Sequence, residues 1–230
     1  MKRFVASVVC LLTVAMASTA QAHFPWLTVN KDGKAALFFG ENIADQTYKL
    51  PPTVAKAKIY AMADGKISEM NTETVDSEEF VGIVSDGKVS DKHQMLMSQM
   101  TYGIYHGNRL NYYTLHMNGD LPKKAVTIDH AKEKGLYAEL VQSGDGVAVT
   151  VYWDGKPVEG TEVHLYCDEG HEEGVTETDA NGTAKFGKKE VEDGLNGIMF
   201  GITRDDEAGS LDGEQYKSAM HYATITFFQK

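Results

Sequence analysis

The stretch Val147-Ala148-Val149-Thr150-Val151-Tyr152-Trp153, followed by Asp154-Gly155-Lys156-Pro157, decides the fold. Large apolar residues at 147, 149, 151 and 153 alternate with smaller or polar ones. That period of two puts one row of side chains on a buried face. The Asp-Gly pair that follows is a hairpin turn signal. The same pattern recurs outward in both directions. Glu162 to Cys167 is the next strand, Thr178-Asp179-Ala180-Asn181-Gly182 turns into Thr183 to Phe186, and Gly197 to Thr203 and His221 to Phe228 close the chain. Upstream, Phe24 to Asn30 and Ala35 to Phe39 flank the turn Lys31-Asp32-Gly33. Ala57 to Met62 and Thr74 to Ile83 are extended. A tyrosine-rich hairpin runs from Met100 to His106, turns at Gly107-Asn108, and returns from Arg109 to Met117. Helix-period segments are scarce, and strands spaced every ten or so residues by such turns predict an all-β protein of sandwich type. A change of style after Lys132-Glu133-Lys134-Gly135 places a boundary between two β-sandwich domains, 23–133 and 134–230.

The chain has 230 residues, 42% hydrophobic and 24% charged, with a net charge of −11. That composition is globular. Its acidity argues against nucleic acid and anionic membrane surfaces as partners, because both need basic patches.

Residues 1–22 read as a secretory signal peptide: Lys2 and Arg3, an apolar run from Phe4 to Ala17, and an Ala20-Gln21-Ala22 cleavage site. Cleavage removes Cys10 and two basic residues, leaving 208 residues at −13 with Cys167 as the one cysteine, so no intrachain disulfide is expected. No later apolar run is long enough to serve as a membrane anchor. The expected location is periplasmic or secreted. Cleavage also makes His23 the first residue. A terminal histidine offers its α-amino group and ring Nδ1 as a chelate for a borderline divalent ion, with copper preferred by the stability order.

Five segments in order, His23-Phe24-Pro25-Trp26-Leu27, Leu37-Phe38-Phe39-Gly40-Glu41, Asp154-Gly155-Lys156-Pro157-Val158, Thr178-Asp179-Ala180-Asn181-Gly182 and Tyr222-Ala223-Thr224-Ile225-Thr226-Phe227, resemble a secreted bacterial domain-of-unknown-function family. That family is associated with the periplasmic side of cobalt and nickel uptake. The resemblance implies nickel or cobalt as cargo and a membrane metal transporter as partner. The C-terminal half is also similar to transthyretin-like and carboxypeptidase-regulatory sandwiches, which implies an immunoglobulin- or transthyretin-like topology.

The candidate metal ligands are His23, His116, His106, His93, Met95 and Met97. His116 or His106, on the long hairpin, would supply a second imidazole to His23, with His116 preferred. His93, Met95 and Met97 share one side of a strand, Met100 lies on the other, and thioether sulfur suits Cu(I). The loop Asp168-Glu169-Gly170-His171-Glu172-Glu173 is a lesser candidate for zinc or nickel. His164, His221 and His130 default to structural roles. The motifs of serine hydrolases, zinc proteases, P-loops and paired-cysteine redox proteins are absent from the sequence. The expected function is therefore a non-enzymatic carrier of copper, or of nickel or cobalt, accessory to uptake or resistance. The alternatives are a metal-free module binding glycans or a cell-surface partner through Tyr102, Tyr105, Tyr112 and Tyr113, and an oxidase-type copper enzyme. Mass spectrometry of exported protein should find His23 at the amino terminus; any other first residue removes the chelate.

Overall fold

The structure, a computed structural model, describes residues 23–123 and 134–230. The expected signal peptide and His130 lie outside the described residues. The strands are, in chain order, β1 (Phe24–Val29), β2 (Lys34–Gly40), β3 (Tyr60–Ala63), β4 (Lys66–Glu69), β5 (Thr72–Asp76) and β6 (Val81–Lys88). The long hairpin follows as β7 (Met95–Tyr105) and β8 (Asn108–Met117). Then come β9 (Leu136–Ser143), β10 (Gly146–Trp153), β11 (Lys156–Pro157), β12 (Glu162–Cys167), β13 (Glu172–Glu177) and β14 (Thr183–Phe186). The last are β15 (Gly194–Arg204), β16 (Gly209–Leu211), β17 (Glu214–Tyr216) and β18 (Ser218–Gln229). Among the described residues there is no α-helix, and the all-β class read from the sequence is the class observed.

Among the described residues the strands form three larger sheets and a short β16–β17 hairpin. The central one has eight strands in the order β13-β12-β15-β18-β8-β7-β3-β4. Residues 23–123 supply four of these strands and residues 134–230 the other four. The join is a parallel ladder between β8 and β18, running from Asn108 opposite Ser218 to Met117 opposite Phe227.

Alternation along β18 and β8 sends side chains to both faces. Ala223, Ile225 and Phe227 pack with Val163, Leu165, Ile198 and Phe200 against Val147, Val149 and Val151 of β10. β10 belongs to a smaller sheet with β9, β11 and β14. On the other face Leu96, Met100, Leu110 and Tyr112 meet Phe24, Trp26, Leu37 and Phe38 from a four-stranded sheet ordered β1-β2-β6-β5. A sheet covered on both faces must bury nearly everything it carries, and this shows in β18, where Ala223 to Phe227 are all buried.

That burial takes in polar groups. Thr226 Oγ1 donates to the Leu27 carbonyl and so presents its lone pair to His116, whose Nδ1 lies 2.8 Å away. His116 is fully buried, and among the described residues its Nε2 has no hydrogen-bond partner. Burial pushes its pKa down from 6.5 to about 4, so the ring is neutral. An unfolded chain protonates this ring near pH 6.5 and the folded one only near pH 4. The stability held by the neutral ring is complete above pH 6.5 and drains away as pH falls toward 4, by about 3 kcal/mol. Denaturant titrations of wild type across that window should show the fall, and His116→Gln should flatten this part of it.

Candidate metal centre

The first hairpin sets the position of His23. In the β1–β2 ladder Phe24 stands opposite Gly40, so the residue before Phe24 falls beside the residue after Gly40. His23 therefore meets Glu41, with Nε2 to Oε1 at 3.9 Å. The loop after Gly40 brings a second carboxylate: Asp45 Oδ2 lies 3.9 Å from the same Nε2 and accepts the Glu41 backbone N–H at 3.1 Å. Asn42 shapes that loop by accepting the backbone N–H groups of Ala44 and Asp45 through its Oδ1. The imidazole packs on Tyr48, with ring centroids 3.7 Å apart, and lies 5.9 Å from the Phe39 ring, and only 18% of its side chain is exposed. At 3.9 Å the two carboxylate contacts of Nε2 are charge contacts rather than hydrogen bonds. The ring's other nitrogen, Nδ1, is the one a terminal-histidine chelate pairs with the α-amino group.

His23 forms one wall of a cavity of about 480 Å³. Its other walls are Phe24, Phe39, Tyr48, Tyr102, Tyr105, Tyr112, Tyr222, Leu110, Met220, Asn108 and His106. Phe39 and Tyr102 stack with their planes 10° apart, and Tyr112 meets Tyr102 edge-on. Burial raises the pKa of Tyr102, Tyr112 and Tyr222, so these rings stay neutral phenols. Tyr105 and Tyr48 stand at the mouth, 57% and 43% exposed.

Of the histidines named from the sequence, the structure brings His106 to this cavity. It occupies the hairpin turn with φ of 50°, beside Gly107 at φ of 76°, a pair of left-handed residues that forms a two-residue turn. His116 lies on the cavity's side of the central sheet but four residues past Tyr112, about 13 Å along β8. It is sealed against Thr226 and does not meet His23. The expected turn at Gly107-Asn108 sits one residue earlier, at His106-Gly107, and a bulge between Thr101 and Gly103 shifts the far end of the ladder further. His116 thus stands opposite Leu96.

Met95 and Met97 project from the face of the central sheet opposite the cavity. Met95 shares a cross-strand row with Met62 and Met117, and Met97 faces Tyr60 and Leu115. His93 accepts the Ser90 backbone N–H through Nδ1, a local turn contact. Met100 is buried against the first sheet.

Two features were not assigned a role from the sequence. The carboxylates of Glu41 and Asp45 are one; the hairpin register alone would have found Glu41, whereas Asp45 and Tyr48 depend on the loop's path. The other is a polar cluster on the far face of the central sheet. There His221 contacts Tyr113 OH at 3.0 Å through Nδ1 and Glu207 at 3.2 Å through Nε2, while Arg109 holds Glu207 at 2.7 Å. Tyr113 is engaged there and takes no part in the aromatic cavity. Burial lowers the His221 pKa, and the Glu207 carboxylate opposes that shift.

The chain matches no protein-family profile and no curated protein. The reading of this site rests on its own geometry.

Gly40 holds the two halves of the site together. A Cβ at this position would lie 2.1 Å from the Asp45 carbonyl oxygen. Gly40→Ala should push the 41–45 loop away from His23 and destabilise the protein by about 1–3 kcal/mol, as overpacking does. Urea unfolding measures the second effect.

Proposed function

We propose that the protein is an exported carrier of a transition-metal ion, loaded at the histidine that signal-peptide cleavage exposes. The observation that carries this reading is the largely buried His23 imidazole, packed against Tyr48 and beside Phe39, with Nε2 3.9 Å from a carboxylate oxygen of both Glu41 and Asp45. Ordering a mobile side chain on an ion costs entropy, and the His23 side chain is already largely buried. The α-amino group and Nδ1 of His23 chelate the ion. Glu41 and Asp45 orient the ring and offset the charge of a dication, and His106 is positioned in the same cavity as a further imidazole. Copper suits the amine and imidazole donors best. Nickel or cobalt is what the family resemblance implies. A membrane transporter is the corresponding partner, and the strongly acidic surface of the processed chain suits a protein that meets cations outside the cytoplasm.

A second reading is supported by the aromatic cavity itself. Stacked and edge-on rings of Phe39, Tyr102 and Tyr112, with exposed Tyr105 and Tyr48 at the mouth, suit the flat face of a sugar or another small ring.

Calorimetric titration of protein beginning at His23 with Cu(II), Ni(II) and Co(II) separates the two. Under the carrier reading, one extra residue before His23 abolishes the tight site, and Glu41→Gln with Asp45→Asn weakens it by about 10- to 100-fold. Equal affinity in processed and extended protein overturns the carrier reading. Saccharide binding that survives the extension and is lost in Tyr102→Ala would establish the second.

A further inference from the structure

The β12–β13 hairpin carries a second constellation, in which His23 has no part. Cys167 ends β12, and a tight loop returns the chain to β13. Cys167 N–H donates to the His171 carbonyl at 3.0 Å, and Gly170 N–H donates to the Cys167 carbonyl at 2.9 Å. This closure brings side chains of three chemistries together. The ligand atoms of Cys167, His171 and Glu173 all lie within 4.8 Å of one another, as do those of Cys167, Asp168 and Glu192. The thiol is 1% exposed and stands where the two groups meet. An inert cysteine of a β-sandwich core would be surrounded by hydrocarbon. This one faces an imidazole and three carboxylates, and among the described residues none of those carboxylates forms an ion pair with lysine or arginine.

We propose that this hairpin is a second metal site, in which Cys167 Sγ, the His171 imidazole and the Glu173 carboxylate hold one borderline divalent cation of the zinc or cobalt type. One sulfur, one nitrogen and one oxygen are the donors such ions take, with bonds of about 2.0–2.3 Å. His171, 70% exposed and 3.7 Å through Nδ1 from Glu169, would close the remaining gap by a side-chain rotation that exchanges that contact for the ion. Thiolate and carboxylate together neutralise a dication, and Asp168 and Glu192 add negative charge on the thiol's other side. Binding forms the metal–sulfur bond as the thiol's proton leaves to water, one proton per ion, with no change of oxidation state.

Cobalt(II) titration of reduced protein beginning at His23 tests this, because thiolate-to-cobalt charge transfer absorbs in the near ultraviolet and no cysteine lines the His23 cavity. The band should appear with one equivalent of Co(II), and it should be the same size in protein carrying an extra residue before His23. That form disables only the terminal chelate, so failure of the carrier reading leaves this result standing. Cys167→Ser should abolish the band, and exposed His171→Ala should weaken cobalt binding about tenfold or more without disturbing the fold. Absence of the band in wild type overturns the proposal. A band of unchanged affinity in both His171→Ala and Glu173→Gln also overturns it, since the thiol would then be binding alone.

Discussion

The first strand is held along both of its edges, and the position of the candidate site depends on it. β1 is an outer strand of its sheet, so β2 satisfies one side of its backbone and leaves the other open. Thr224 and Thr226 of the central sheet close that open side by donating hydroxyl hydrogen bonds to the carbonyls of Pro25 and Leu27. Pro25 itself has no N–H to leave unmet. Unsatisfied backbone groups are costly inside a core, so these two threonines make burial of an edge strand tolerable. Trp26, fully buried between them in sequence, donates Nε1–H to the Gly40 carbonyl at 3.2 Å and locks the end of β2 as well. His23, one residue before β1, inherits this rigidity.

The threonines are in place because β18 is central. Its parallel ladder with β8 joins strands about 110 residues apart in sequence, and no local pattern announces such a pairing. Local alternation marked the strands themselves well: Phe24 to Asn30, Ala35 to Phe39 and Val147 to Trp153 read as extended and are extended. It could not show that strands from both halves share one sheet. Buried Thr224 and Thr226 hint at it after the fact, since a strand with polar residues on one face would ordinarily turn that face to solvent. Here both faces are covered and the polar residues are consumed by hydrogen bonds to β1.

The site was legible to a similar depth. His23 followed from the cleavage motif, and Glu41 was implicit in the register of a hairpin that the sequence displays plainly. The choice between His116 and His106 was not, because it turned on one residue of turn position and one bulge. A turn with two left-handed residues can sit at His106-Gly107 or Gly107-Asn108 on sequence alone; asparagine tolerates that conformation better than most residues. The bulge near Gly103, whose φ is 138°, then adds its own step. Each small shift moves the far end of a ten-residue arm by a residue relative to its partner strand, which here sets His116 opposite Leu96. The aromatic cavity was half visible. Tyr102, Tyr105 and Tyr112 were grouped correctly, and Tyr113, next in sequence, points the other way by the same period.

The loop that presents Glu41 and Asp45 also touches the hairpin that presents Cys167 and His171. Gly170 has φ of 84°, and a Cβ there would lie 2.5 Å from Asn42 Oδ1. Asn42 is the residue whose side chain sets the turn from Glu41 to Asp45. Packing at this density leaves neither loop free to change alone: a shift at Gly170 displaces Asn42, and a displaced Asn42 releases the N–H groups that fix Asp45. The carboxylates beside His23 are therefore positioned from two directions, through Gly40 along their own strand and through Gly170 from the other half of the chain. Two clusters of cation-seeking side chains drawn from distant parts of the sequence meet at one glycine, and the geometry of each is conditional on the other.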